Sequence, residues 1–141
     1  VGKLVLKGLG LKGLKSPVAE GEALVSTDPI SFLGNVNPNT GIIQNHALEG
    51  ASISGKVLVF PVGVGSTVGT YVLINLAEKG LAPKAIIQRE ADTVTLIGAV
   101  VAEIPLIHKA IPDPLTVIET GDWVRVNSEK GIIEVEKRKG A

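Results

Sequence analysis

Lys56-Val57-Leu58-Val59-Phe60-Pro61-Val62 runs into Gly63-Val64-Gly65 and then into Ser66-Thr67-Val68-Gly69-Thr70-Tyr71-Val72. The first part is an almost unbroken apolar run, the pattern of a strand buried on both faces. The two glycines allow a sharp turn and a close approach of backbone to a ligand. From Ser66 to Lys79 the period changes: Val68, Val72 and Leu76 recur at i, i+4 and i+8, and Tyr71, Leu73, Ile74 and Ala77 widen the apolar surface. That spacing predicts a largely buried helix. Gly80 suits the position just past its end, and Pro83 follows. Ala85-Ile86-Ile87 is then a second buried strand. A strand–loop–helix–strand unit of this length predicts a parallel crossover.

On the N-terminal side, Lys3 to Lys7 and Ala23 to Ser26 are β-rich, and Ile30-Ser31-Phe32-Leu33 is a further short strand candidate. Gly34 to Gly41 is loop-like, because its Asn, Pro and Gly each favour turns for separate backbone reasons. Ile42-Ile43 is a candidate strand start. On the C-terminal side, Thr93 to Ala102 reads as an apolar strand, followed by Ile104 to Ile107. Asp113, between Pro112 and Pro114, reads as a turn. Trp123 to Asn127 and Ile132 to Glu136 alternate in polarity and are separated by a turn at Glu129-Lys130-Gly131, which predicts a closing hairpin. A second helix near Pro83 is compatible with the pattern but not demanded by it. No repeat or linker divides the chain. The expected architecture is one β-rich α/β domain over residues 1–141 with a single clear helix.

Composition narrows the function. Fourteen Lys and Arg balance 14 Asp and Glu in 141 residues, which argues against a nucleic-acid binder. The one basic run, Lys137-Arg138-Lys139, reads as a solvated tail. No apolar stretch is long enough to span a membrane, and the apolar N-terminal segment is too short for a signal peptide, so cytoplasm is the expected compartment. With no cysteine, the chain can build no disulfide, thiol nucleophile or cysteine-ligated metal centre of its own. His46 and His108 lack metal-ligand spacing and read as satisfied or surface histidines. No metal site is expected.

The glycine loop is where chemistry can reside. The first N–H groups of a helix lack internal partners and sit at the positive end of its dipole, so they favour an anion. Ser66 at that place has three readings: a helix cap, part of an anion site, or a base whose alkoxide the same donors stabilise. A phosphate loop of the Gly-Lys-Ser/Thr type is excluded, because no lysine stands before Ser66. Gly63, Gly65 and Gly69 give a spacing one residue too long for a dinucleotide fingerprint, although Glu90 lies near the place of a ribose partner. Asp28, Ser31, Asn35, Asn37 and Thr40 cluster on one polar segment, which reads as turn chemistry or as one wall of a cleft or subunit interface.

The order Ile30-Ser31-Phe32-Leu33-Gly34-Asn35-Val36-Asn37-Pro38-Asn39-Thr40-Gly41, His46, Leu48, Gly50, the Gly-x-Gly-Ser-Thr loop, and Gly80-Leu81-Ala82-Pro83-Lys84-Ala85-Ile86-Ile87 resembles the small subunit of the aconitase X family. The resemblance runs from about Leu24 to Pro105. It implies the swivelling β/β/α domain of aconitases. It also implies a large partner subunit carrying a 4Fe-4S cluster, with no cofactor held by this chain alone. The reaction implied is loss of water from (R)-5-phosphomevalonate to give trans-anhydromevalonate 5-phosphate, in an isoprenoid route. Hydroxyproline dehydratases are a related branch. Carried over by position, Ser66 is the proton acceptor. Gly63, Gly65 and Thr67 shape the pocket, with Ser31, Asn35 and Asn37 as further substrate-binding candidates. The triplet Ser66-Thr67-Val68 lacks the arginine that follows the serines of classical aconitases, so a cationic grip on the substrate has to come from elsewhere. Two other function classes stay open at this point: a standalone phosphate- or nucleotide-binding module, and a non-catalytic assembly subunit.

Overall fold

The structure, a computed structural model, describes residues 3–138. Seven strands close into a barrel: β1 (Lys3–Gly10), β2 (Val18–Val25), β3 (Val57–Phe60), β4 (Ala85–Gln88), β5 (Leu106–Ile111), β6 (Trp123–Asn127) and β7 (Ile132–Glu136). Their order round the barrel is β1-β5-β4-β3-β2-β6-β7. Closure leaves no open edge. Strands β2, β3, β4 and β5 are mutually parallel. The pairs β1–β5, β1–β7, β2–β6 and β6–β7 are antiparallel. Four helices complete the fold: α1 (Phe32–Asn35), α2 (Gly69–Glu78), α3 (Thr93–Ala102) and α4 (Pro114–Val117). The β-rich α/β domain expected from the sequence is the one observed.

Two cores explain why β3 and β4 are apolar without alternation. Val57, Val59, Ala85 and Ile87 point into the barrel, where they meet Leu6, Ile107, Val124, Val126, Ile133 and Val135. Leu58, Phe60 and Ile86 point outward beneath α1, α2 and α3, against Phe32, Leu73, Leu76 and Ala99. Both faces of these strands are therefore buried, as the continuous run predicts. Each fully buried aliphatic or aromatic side chain contributes about 1.5–3 kcal/mol.

The expected parallel crossover runs through α2 between β3 and β4, and a second, not expected, runs through α3 between β4 and β5. The predicted helix at Ser66–Lys79 starts later, at Gly69, and ends at Glu78. The second helix is not near Pro83. It is Thr93–Ala102, the segment expected as a strand. Its Val, Ile and Thr residues lower helix propensity by only about half a kcal/mol each. Against that, the Asp92 carboxylate caps the Thr95 N–H at 2.9 Å, Glu103 ends the helix in the left-handed conformation, and Gly98 lets the helix lie directly on Leu73. Capping and packing outweigh the local preference.

Ile30–Leu33 is likewise not a strand. Ser31 caps α1, its hydroxyl accepting from the Gly34 N–H at 3.3 Å. Phe32 is buried edge-on against Phe60, with ring centroids 6.0 Å apart. Ile42-Ile43 forms only isolated bridges, to Ser52 and Val36. The basic run is no free tail over its described part. Lys137 forms an ion pair with the buried Asp122, and the Arg138 guanidinium lies 4.8 Å from the Trp123 ring centre. Lys139 lies outside the described residues. No helix among the described residues is long and apolar enough to cross a membrane.

Candidate functional site

The carboxyl ends of parallel strands gather loops at one edge of a sheet, the usual place for a ligand in such folds. Here β3 ends at Phe60 and delivers Pro61–Val68 to that edge. The preceding loop runs beside it: the Ile30 N–H donates to the Val62 carbonyl at 3.3 Å, and the Val64 N–H to the Ile30 carbonyl at 3.1 Å. This pairing brings Ser31 against the glycine loop. A Cβ on Gly65 would lie 2.6 Å from the Ser31 hydroxyl oxygen, and Gly65 has φ +92°, a conformation other residues avoid.

Ser66 is exposed at the tip of this loop. It is not the helix cap: the cap position is Val68, which makes no side-chain cap bond. Instead the Ser66 hydroxyl accepts from the Val68 N–H at 3.1 Å, two residues on, a serine turn ahead of the helix. The Ser66 carbonyl then accepts from the Gly69 N–H at 3.0 Å, starting the helical spiral. The N–H groups of Gly65, Ser66 and Thr67 make no hydrogen bond to another described residue. Three open amides and a hydroxyl fall on consecutive exposed residues just ahead of the positive end of α2, an arrangement suited to an anion or a developing negative charge.

The other sequence-selected residues have different surroundings. The Gly63 N–H is already used, donating to Asp92 Oδ1 at 2.7 Å. Thr67 is exposed at the end of a groove of about 340 Å³ that it shares with Tyr71, Ile74, Ile97 and Val101. Asn35 braces its own segment: its Oδ1 accepts from the Ser31 N–H at 2.8 Å, and its Nδ2 donates to the Asn45 carbonyl at 2.9 Å. Asn37 Oδ1 accepts from the Asn39 N–H at 2.8 Å in a local turn. Ser31 is therefore brought to the loop, whereas Asn35 braces the Ser31 segment and Asn37 serves the turn that follows.

Both histidines are satisfied. His46 Nδ1 accepts from the Leu48 N–H at 3.1 Å, so the proton sits on Nε2, 3.1 Å from the Pro29 carbonyl. His108 Nδ1 accepts from the Ala91 N–H at 3.0 Å. Among the described residues no group of three His, Cys, Asp or Glu side chains is placed to hold a metal. With no cysteine in the chain, its donor set does not fit an iron–sulfur cluster.

Asp92 was not singled out by the sequence, because its segment read as a strand. As an aspartate immediately before Thr93-Val94-Thr95, it is a helix N-cap signal, and a helical reading of 93–102 would have found it. Its carboxylate accepts from the Gly63 N–H and from Gln88 Nε2, both at 2.7 Å on Oδ1, and from the Thr95 N–H on Oδ2. Burial alone would raise its pKa. The hydrogen bonds from Thr95, Gln88 and Gly63 outweigh burial and hold it below the ordinary carboxylate value.

Comparison with known proteins supplies the relatives. The family model described as aconitase X swivel domain matches residues 11–135. The chain is 51% identical over 125 residues to the phosphomevalonate dehydratase small subunit of Methanosarcina acetivorans, covering 87% of each. It is 47% identical over 132 residues to the protein of the same name in Pyrococcus furiosus, covering 92% of this chain and 94% of that one. Its structure superposes on the crystal structure of Thermococcus kodakaraensis aconitase X in its holo-form with a TM-score of 0.86. That match has 42% identity and covers 95% of this chain and 99% of the other.

Proposed function

This chain belongs to the aconitase X swivel-domain family, and from that premise we propose that it is the small subunit of a hydro-lyase, with Ser66 as proton acceptor. The substrate in this reading is (R)-5-phosphomevalonate and the product trans-anhydromevalonate 5-phosphate; relatives that match nearly the whole chain and are named phosphomevalonate dehydratase small subunit support it. The observation that carries the role of Ser66 is its position: an exposed hydroxyl among three open amides, at the positive end of a helix. A serine alkoxide is a strong base that ordinarily forms too rarely to be useful. Preorganised donors around the oxygen favour the charged form. Ser66 would then take a proton from carbon as the hydroxyl on the neighbouring carbon departs, so that one water leaves and one double bond forms.

Gly63, Gly65 and Thr67 shape the pocket floor. Ser31 offers a second hydroxyl, and Asn35 and Asn37 hold the segment that carries it. The chain has no ligands for a cluster, so a 4Fe-4S centre belongs to the large partner subunit, where it would act as Lewis acid on the departing hydroxyl. Apolar side chains close to Ser66 in the chain are exposed, Val64 and Val68 each 48% and Tyr71 66%. Such a rim suits burial against a partner. The test is reconstitution with the large subunit under anaerobic conditions with iron and sulfide. Phosphomevalonate should be dehydrated and hydroxyproline left untouched. Ser66→Ala should lower kcat by about 10³-fold or more while co-purification with the partner persists. Retained turnover in Ser66→Ala sinks the base assignment.

A further inference from the structure

We propose that Asp92 is a positioning residue: from beneath the glycine loop it holds the Gly63 N–H and thereby sets the reach of the Ser66 hydroxyl. The inference rests on the assignment of Ser66 above and adds a residue outside the loop that makes it work.

Three elements meet at this carboxylate. Gln88 Nε2 ties it to the end of β4 and the Thr95 N–H to the first turn of α3, and Gly63 hangs from the same Oδ1 as Gln88. The fit is tight. A Cβ on Gly63 would lie 2.6 Å from Asp92 Oδ2 and 2.6 Å from Thr95 Oγ1, so the glycine is there to admit the carboxylate. On its other flank the loop is held by Ile30, through the Val62 carbonyl and the Val64 N–H. Only Val64 and Gly65 separate Gly63 from Ser66, and both are exposed. With Asp92 removed, the Gly63 N–H loses its partner, and the loop is held only by Ile30 and by the Arg89 and Glu90 N–H groups on the Pro61 carbonyl.

The surroundings argue against a purely stabilising role. Gln88 is wholly buried, yet its Oε1 has no hydrogen-bond partner among the described residues. Burying an unpartnered polar atom beside a carboxylate is costly, and an apolar plug would stabilise this place better. The arrangement makes sense where a backbone N–H must be held at a fixed point.

Two substitutions separate positioning from folding. Asp92→Ser keeps a short oxygen cap for α3 but cannot reach Gly63. Asp92→Asn keeps the size and sets an amide donor among three donors. In complex with the large subunit, each should lower kcat about 10- to 100-fold and leave KM for phosphomevalonate within about threefold. In the full small chain, amide hydrogen exchange at Gly63 should be slow in the wild type although the loop is exposed. It should speed up in both variants with little change along α3. Wild-type kcat in either variant, fast exchange at Gly63 in the wild type, or faster exchange spread evenly through α3 would each overturn the proposal. A wild-type complex inactive on phosphomevalonate refutes the functional reading instead, and the exchange measurement still decides what Asp92 holds.

Discussion

Two aspartates, Asp92 half-buried and Asp122 buried, stand at different places in the barrel and do different work with the same number of donors. Asp92 receives the Gly63, Gln88 and Thr95 N–H groups, all neutral. Asp122 receives the Glu119 and Arg138 N–H groups and the Lys137 ammonium. Asp92 lies beneath an exposed loop at the carboxyl ends of the parallel strands. Asp122 sits at the start of β6 and ties down the segment leaving β7. Burial would raise both pKa values, and in both the bound donors win and hold the carboxyl below the ordinary range. The difference lies in the donors: neutral amide donors fix a loop, whereas a charged partner closes a fold.

Removing the charged lock has the largest expected effect on stability. Asp122→Ala leaves the half-buried Lys137 without its main counter-ion. It should cost about 3 kcal/mol or more, read as a lower midpoint in urea unfolding, with kcat of the assembled complex unchanged. Equal losses of kcat in Asp122 and Asp92 variants would erase the distinction.

Gly63→Ala probes the other side. A methyl group driven into Asp92 and Thr95 should destabilise by about 1–3 kcal/mol and, unlike Asp122→Ala, also lower kcat. A Gly63→Ala chain that is destabilised but fully active would reduce Asp92 to a structural role.

The smallest effect is the most diagnostic. A carboxylate whose folded pKa lies below its unfolded value of about 3.9 contributes stability above that value, which is lost as the pH falls through the folded pKa. Both aspartates should therefore steepen acid unfolding below about pH 4. Burial would lower the pKa of Lys137, but bonding to Asp122 and Glu119 raises it above the ordinary value. That contribution is full below the unfolded lysine pKa and disappears as the pH rises through the folded one. Stability measured against pH should thus lose part of both its acid and its alkaline limb in Asp122→Ala, but part of the acid limb alone in Asp92→Asn.

Much of the fold was legible without coordinates because burial on two faces leaves a continuous apolar run. Val57–Phe60 and Ala85–Gln88 declare themselves in this way, and the alternation in Trp123–Asn127 and Ile132–Glu136 marks strands with one face to solvent. Thr93–Ala102 was misread for the same reason that β3 was read well. It is apolar all round, and periodicity cannot separate a buried strand from a buried helix. Asp92 held the missing information, as a cap in front of the run. Ile30–Leu33 failed because four residues carry too little pattern to compete with Ser31 capping and the Phe32–Phe60 contact.

The sequence by itself determined the parallel crossover, the glycine loop with Ser66 at its tip, and the absence of any cysteine to ligate a cluster, since each follows from local residue type and spacing. Tertiary structure alone decided that the Gly63 N–H is spent on Asp92, 29 residues away along the chain, and that Lys137 is locked to Asp122. Those contacts join segments that only barrel closure brings together, and a buried carboxylate takes whichever donors the closed chain presents to it.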